Sequence, residues 1–324
     1  MQIFRLVPRH ASVVSSGMNP RYWAYFVTIA DLGSFTKAAL QLGVAQPALT
    51  RHIRQLEIEF GVELLFRSNR GVVLTEAGQR FYEDATRILR DMDRVTDEMR
   101  SFAGDPSGTI VLGVAPSLCP VVVPHLLIRQ RRDFPRIQLK IVESIGRQLE
   151  EWLAERKIDL AIHTEPTANK KLAFTPLVTE EFVLLDGPNS QLISPMSVSD
   201  LAAIPLTITE SIHVLVERLL EPRQTALTVD VTLSAIPTIL LMVKEGLCAT
   251  IMPHSIAQSD IATGSLSAYR VTNNGIFRNV VLSVASGRPV SAVARAVSIC
   301  IQDVFRILAD EKKFSLQLSE PGSN

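Results

Sequence analysis

The stretch VAQPALTRHIRQLE, residues 44–57, combines a helical apolar stripe with a cluster of polar side chains. Leu49, Ile53 and Leu56 recur at steps of four and three residues, which predicts the buried face of a helix. The opposite face carries an amide, a hydroxyl and two guanidinium groups, those of Gln46, Thr50, Arg51 and Arg54. Amides pair with adenine, guanidiniums pair with guanine, and a threonine methyl contacts thymine. These residues predict the reading of base edges, with an ordinary solvated face as the alternative.

A tight helix-turn-helix must position this face. Ser34 can cap the preceding helix, FTKAALQL, and Gly43 can end it. Only Val44 and Ala45 then precede the next helix, where Pro47 is tolerated because first-turn backbone donors lack partners. After it, VELLFRSNRGVVLTEAG has two short apolar runs around a polar tip and predicts a β-hairpin wing.

Other polar residues near this motif can contact the DNA backbone. Ser34 and Thr36, at the start of the first helix of the pair, can bind phosphate through hydroxyl and backbone N–H groups. Simple helix capping is the alternative, and the two roles are compatible. Arg67 and Arg70 at the wing tip suit phosphates or a narrow minor groove, with ordinary surface charge as the alternative.

Residues 78–104 predict a long helix with a heptad seam. Apolar residues recur at alternating steps of four and three: Phe81, Ala85, Ile88, Met92, Val95, Met99 and Phe102. Such a seam on an otherwise polar helix favours self-association, so we predict a dimerisation helix. The alternative is an amphipathic helix packed on its own domain. The sequence GDPSG after it predicts a flexible joint.

From Thr109 onwards strand patterns alternate with helix patterns, which predicts parallel sheets covered by helices. In open sheets of this kind ligands bind beyond the carboxyl ends of the strands. Polar side chains follow four predicted strands, at Ser117, Ser144, His163 with Thr164, and Thr209. Each can instead be a cap, and His163 can be a satisfied buried residue. Cys119, one turn into the first helix, is a weak candidate redox thiolate.

Residues 18–78 resemble the winged helix-turn-helix of LysR-type transcriptional regulators. The blocks GSFTKAA, QPALTR, LE, LLFR and LTEAG occur in that family's order and spacing. The later segments FPRIQLKIVES, EWLAERKIDLAI and VKEGLCATIMP resemble its effector-binding domain more loosely. One departure is Ala45, where the family often has serine, and losing that cap costs about 1 kcal/mol.

The resemblance implies a multidomain protein that binds promoter DNA as a homodimer or homotetramer, through the 78–104 helix and the effector domain. We predict a loose extension over 1–17 with Met18 as the functional start, a winged helix-turn-helix over 18–77, and a linker helix over 78–104. An α/β, periplasmic-binding-protein-like effector domain follows over 105–324. Its subdomain I would cover 109–179 and 286–312, and its subdomain II 180–285, with crossovers near Thr179 and Ser286.

Helix starts and hydroxyls at the strand ends favour a small carboxylate or other oxyanion as effector. The sequence has no HExxH, CxxC pair, P-loop or GxSxG motif, so we predict no catalysis, no metal and no cofactor. The alternative class is an α/β small-molecule binding protein or enzyme with an incidental helical head. A solute-binding protein of that class needs an export signal and no heptad seam, the reverse of this pattern.

The overall amino-acid composition favours no particular function. Lys plus Arg and Asp plus Glu each number 33, so only local clusters of charge can attract DNA. The three cysteines are odd in number and widely spaced, which favours a reduced, cytoplasmic protein. The most apolar run is interrupted by Lys244 and Glu245, so we predict no association with a membrane.

Overall fold

The computed structural model describes residues 19–68, 71–101, 106–193, 195–272, 275–287 and 289–310. The chain divides into two compact units, Met1–Thr96 and Asp97–Asn324. The predicted extension, Arg70 and Phe102 lie outside the described residues, as do Gly104 and Asp105 of the GDPSG joint.

The first unit is a winged helix-turn-helix that continues into a long helix. Its described elements are α1 (Pro20–Leu32), α2 (Phe35–Leu42), α3 (Gln46–Phe60), β1 (Leu65–Ser68), β2 (Gly71–Leu74) and α4 (Glu76–Ser101). Ser34 caps α2 by accepting a hydrogen bond from the Lys37 N–H, and Gly43 ends it in the left-handed conformation at φ 64°. Strands β1 and β2 pair antiparallel. The tight turn and the wing are therefore confirmed.

The apolar stripe of α3 forms the centre of the first core. Leu49, Ile53 and Leu56 are completely buried against Phe26 and Ile29 of α1. Burial of this one face fixes the rotation of α3 about its axis. The polar face of the same helix must therefore point into solvent.

Two polar side chains attach the wing to the helices. The Glu57 carboxylate, at the end of α3, accepts hydrogen bonds from the N–H groups of Leu64 and Leu65. The Thr75 hydroxyl donates to the carbonyl of Glu63 and accepts from the N–H of Gly78, which caps α4. These contacts give a physical reason for the LE, LLFR and LTEAG blocks of the sequence.

The second unit alternates strands and helices, as predicted. Its described elements are β3 (Gly108–Val114), α5 (Cys119–Asp133), β4 (Ile137–Glu143), α6 (Gly146–Ala154), β5 (Leu160–Thr164), β6 (Leu172–Asp186), α7 (Val198–Ala203), β7 (Leu206–Ile208), α8 (Glu210–Leu220), β8 (Val229–Thr232), α9 (Ile236–Lys244), β9 (Thr250–Pro253), α10 (His254–Ala262), β10 (Ser267–Arg270), β11 (Phe277–Ala285) and α11 (Ala292–Asp310). The short elements α7 and β10 have no counterpart in the sequence prediction.

The main sheet is mixed, which corrects the prediction of parallel sheets. Strand β3 lies between β4 and β5 and is parallel to both. Strand β11 is antiparallel to its two neighbours, β5 and β6, and both β9 and β10 are antiparallel to β6. The physical reason is that β6 leaves the first half of the unit and β11 returns to it, so these two strands run in opposite directions.

The two largest hydrophobic clusters among the described residues of this unit mark its two subdomains. Strand β6 contributes Val178 to the first core and Phe182 to the second. Strand β11 contributes Val280 to the first core, four residues after Ile276, which belongs to the second core. The chain therefore returns to subdomain I before Val280, and the predicted return near Ser286 is corrected by several residues.

Candidate functional site

The polar face of α3 is open to solvent. Gln46, Pro47, Arg51 and Arg54 are exposed, and Thr50 is half-buried. The Gln46 side-chain amide donates to the Thr50 hydroxyl over 3.2 Å. Ala45 precedes the helix and supplies no side-chain cap. The structure therefore brings all five of these predicted contact residues to the outer surface of the first unit.

The other residues predicted to contact DNA differ in whether their side chains already make contacts within the protein. Thr36 is exposed, whereas the Ser34 hydroxyl is used as a cap. The Arg67 guanidinium lies 3.8 Å from the Glu57 carboxylate and 4.6 Å from the centre of the Phe35 ring. Arg67 is thus held against its own unit, with 36% of its side chain exposed.

Three predicted effector residues lie at the carboxyl ends of adjacent strands: Ser117 and Ser144 follow β3 and β4, and Thr164 ends β5. The Ala115 N–H, after β3, donates to the carbonyl of Ile162 in β5, and the Ser144 N–H, after β4, donates to the carbonyl of Val114. Because these strands are neighbours, the segments containing Ser117, Ser144 and Thr164 leave one edge of the sheet together. Helix α5 begins at Cys119, so Ser117 lies in the turn before the helix rather than at its first residue.

Ser117 is part of a buried charged network that joins the two subdomains. The Arg278 guanidinium donates to the Ser117 hydroxyl oxygen over 2.7 Å and to the Glu180 carboxylate over 2.6 and 2.8 Å. Glu180 also accepts hydrogen bonds from the N–H and hydroxyl of Ser255, in the first turn of α10. Arg278 and Glu180 lie opposite each other on β11 and β6, and both are at most 2% exposed. The network therefore links Ser117 of subdomain I to Ser255 of subdomain II.

Sequence reasoning missed Arg278, Glu180 and Ser255. A usable signal was present, because two glutamates interrupt the apolar strand LVTEEFVLLD and one arginine interrupts IFRNVVLSV. A charged residue inside such a strand is costly to bury unless it has a partner. The antiparallel register that pairs these two charges required the structure.

His163 lies in the interior, as the alternative of a buried histidine predicts, and its role as an effector contact stays untested. Its side chain is completely buried, and its Nε2 atom hydrogen-bonds the Ser283 hydroxyl over 2.7 Å. Burial lowers its pKa, and the Glu150 carboxylate, 3.9 Å from Nδ1, only partly opposes that shift. The imidazole is packed among α6, β5 and β11, where no part of it is exposed to solvent.

The side chains of Thr209 and Cys119 already make local contacts in this structure. The Thr209 hydroxyl caps α8 by accepting from the Ile212 N–H and also hydrogen-bonds the Ser211 hydroxyl. Burial and the neighbouring Glu143 carboxylate raise the pKa of Cys119 to about 12. Its thiol is therefore protonated at neutral pH, which argues against the redox alternative.

Within the described ranges the side chains form no group of three or more potential metal ligands. None of the helices described there is long and apolar enough to cross a bilayer.

Comparisons with known proteins agree on one family. A family model for the LysR substrate binding domain matches residues 103–306, and one for bacterial regulatory helix-turn-helix proteins of the lysR family matches residues 20–79. The transcriptional regulator BbuR of Bordetella bronchiseptica is 30% identical over 256 residues, which cover 78% of this chain and 79% of that protein.

Two further relatives extend over more of the chain. The nitrogen assimilation regulatory protein nac of Escherichia coli is 29% identical over 309 residues, 91% of this chain and 98% of its own. The crystal structure of full-length CbnR in complex with its target DNA shares the fold, with a TM-score of 0.68 at 21% identity over 90% of this chain and 99% of that one. These relatives are named as regulators. The chain therefore belongs to the LysR family of DNA-binding transcription regulators, with an N-terminal helix-turn-helix domain and a C-terminal effector-binding domain.

Proposed function

We propose that this protein acts in the cytoplasm as a homo-oligomeric regulator that reads promoter sequence through α3 and responds to a small anionic effector. The observation that carries the DNA assignment is the division of α3 into a fully buried apolar face and an exposed polar one. Gln46, Thr50, Arg51 and Arg54 supply the groups that distinguish bases in a major groove. Pro47, exposed at the same helix start, would lie next to these groups at the DNA surface.

Backbone contacts would fix the orientation of α3 without carrying sequence information. We assign these contacts to Ser34 and Thr36 at the start of α2 and to Arg67 and Arg70 of the wing. Because Arg67 is already paired with Glu57, its contribution to DNA affinity should be smaller than that of a free arginine.

The effector assignment rests on the state of the Ser117 hydroxyl. Its oxygen already accepts a hydrogen bond from Arg278, so its proton is available to donate to a second acceptor. A carboxylate or another oxyanion is such an acceptor, and the nearby guanidinium favours negative charge. Ser144, Thr164 and Thr209 complete the proposed site. No step in this scheme needs catalysis, and we assign the protein no enzymatic role.

A calorimetric screen of small carboxylates against the full chain tests the effector assignment. We expect Ser117→Ala to weaken binding of the effector ten- to hundredfold, since a hydrogen bond to a charged group contributes about 1.5–3 kcal/mol. Affinity for DNA should be retained, because Ser117 lies in the other unit. Ser298→Ala, which removes a hydroxyl bonded only within α11, is the matched control.

Ser117→Ala also removes an acceptor from the buried Arg278, so thermal unfolding of the variant is measured alongside. A stable Ser117→Ala variant and a stable Ser144→Ala variant that both bind the effector as tightly as the wild type would contradict this site.

A further inference from the structure

A cleft of about 380 Å³ lies beside the polar face of α3. Its walls come from the first turns of α1 and from the turn and first half of α3. The described residues that line it are Asn19, Arg21, Tyr22, Tyr25, Val44, Ala45, Ala48 and His52. Two of these can carry a positive charge, and none of them is a carboxylate.

His52 is held in this cleft by aromatic packing. Its ring stacks on Tyr22 with centroids 4.3 Å apart and planes inclined by 22°, and the Tyr25 ring lies 5.7 Å away. Arg21 extends over the Tyr25 ring, with 5.6 Å between guanidinium carbon and ring centre. The imidazole therefore has a fixed position between α1 and α3, next to an arginine.

The surroundings of His52 are positive. Burial, Arg51 on the same helix and Arg21 on α1 all lower the pKa of His52 below its ordinary value. At the other end of the cleft, the first turn of α3 has no side-chain cap, because Ala45 has no oxygen to accept from its N–H groups, and the positive end of the helix dipole faces Ala45 and Ala48 of the lining. Without an anion in the cleft, nothing among its described lining residues offsets this charge.

We propose that this cleft receives a phosphate of the DNA backbone and that DNA binding is coupled to protonation of His52. The proposal rests on the DNA-binding role of α3 and adds a site that lies beside its base-reading face. A phosphate would contact Arg21 and the imidazolium together, and both are donors that suit phosphate oxygens.

The coupling has a defined sign. A nearby phosphate favours the charged form of an imidazole, so it raises the pKa of His52 in the complex. Because the pKa of His52 is lowered in the free protein, DNA binding takes up a proton wherever the pKa in the complex lies above the pH. Affinity for DNA should therefore fall as pH rises from the free-state pKa through the bound-state pKa of His52. One coupled proton limits the slope to about tenfold per pH unit.

The test is a fluorescence-anisotropy titration of the full chain with a labelled duplex of arbitrary sequence, at fixed salt, between about pH 5.5 and 7.5. We expect the wild type to lose affinity as pH rises and His52→Gln to show a flatter profile. The control His213→Gln removes a histidine of α8 in the second unit and should keep the wild-type slope.

A second variant tests the cleft independently, in case His52→Gln does not fold. Arg21 is exposed, and Arg21→Gln should weaken binding at every pH. It should also reduce the slope of log affinity against log salt concentration by about one. If His52→Gln keeps the wild-type pH profile, or if Arg21→Gln binds as well as the wild type at every salt concentration, the cleft assignment is wrong while the DNA-binding function stands. Absence of any duplex binding by the wild type at low salt would overturn both.

Discussion

At some positions of this protein, contacts with the backbone of another element decide which residue type fits, and a sequence pattern shows this only indirectly. Gly78 is an example, because a Cβ atom at this position would lie 1.9 Å from the carbonyl oxygen of Leu64. The close approach lets Thr75 cap α4 and hold the wing at the same time. The sequence supplies the LTEAG block, but the reason for its glycine is a distance between two separate elements.

Gly78→Ala should destabilise the first unit by about 3 kcal/mol or more, since the clash is with backbone rather than with a flexible side chain. Thermal unfolding of the fragment 18–104 measures this. Gly61→Ala is the comparison, because the position has open space around it and only its positive φ of 68° opposes a side chain. An unfolding midpoint for Gly78→Ala equal to that of Gly61→Ala would contradict the packing account.

At the scale of elements, α4 divides into two parts. Phe81 packs against the rings of Phe26 and Phe60, and Ala85 is buried, so the beginning of the heptad seam belongs to its own unit. Met92, Val95 and Met99 are 44%, 49% and 59% exposed. The alternative of a helix packed on its own domain therefore holds for the first part of α4, and self-association through the second part stays a prediction. Only the second part remains available for a partner helix.

We predict that Val95→Asp with Met99→Asp dissociates the oligomer formed by the fragment 18–104 without unfolding it, because each change places a carboxylate in an apolar seam. Sedimentation velocity gives the oligomeric state, and circular dichroism reports the fold. The control pair is Asp93→Asn with Thr96→Asp, at neighbouring positions outside the seam. A wild-type fragment that is monomeric at micromolar concentration would leave the whole of α4 as a helix of its own domain.

At the scale of the whole molecule, periodicity predicted most helices and strands but not how the strands pair. The buried stripe of α3, the cap at Ser34 and the end at Gly43 follow from local patterns, and the structure confirms them. The antiparallel pairing of β6 with β11 depends on contacts between residues about a hundred positions apart, such as Glu180 with Arg278. For the same reason, the buried network behind Ser117 and the cleft around His52 required three-dimensional coordinates.

The most direct test of base reading by α3 begins with duplexes that the wild-type protein selects from a random pool. The selected duplex and a scrambled one are then titrated at one salt concentration with wild type, Gln46→Ala, Arg51→Ala and the control Gln55→Ala. Gln55 is exposed on α3 and hydrogen-bonded to Glu59, away from the helix start. Each lost base contact contributes about 1–3 kcal/mol, so Gln46→Ala and Arg51→Ala should each lower the ratio of selected to scrambled affinity about five- to hundredfold. Gln55→Ala should leave that ratio at the wild-type value. An unchanged ratio in both Gln46→Ala and Arg51→Ala, or no sequence enriched by the wild type, would contradict the assignment of α3 as the element that reads DNA.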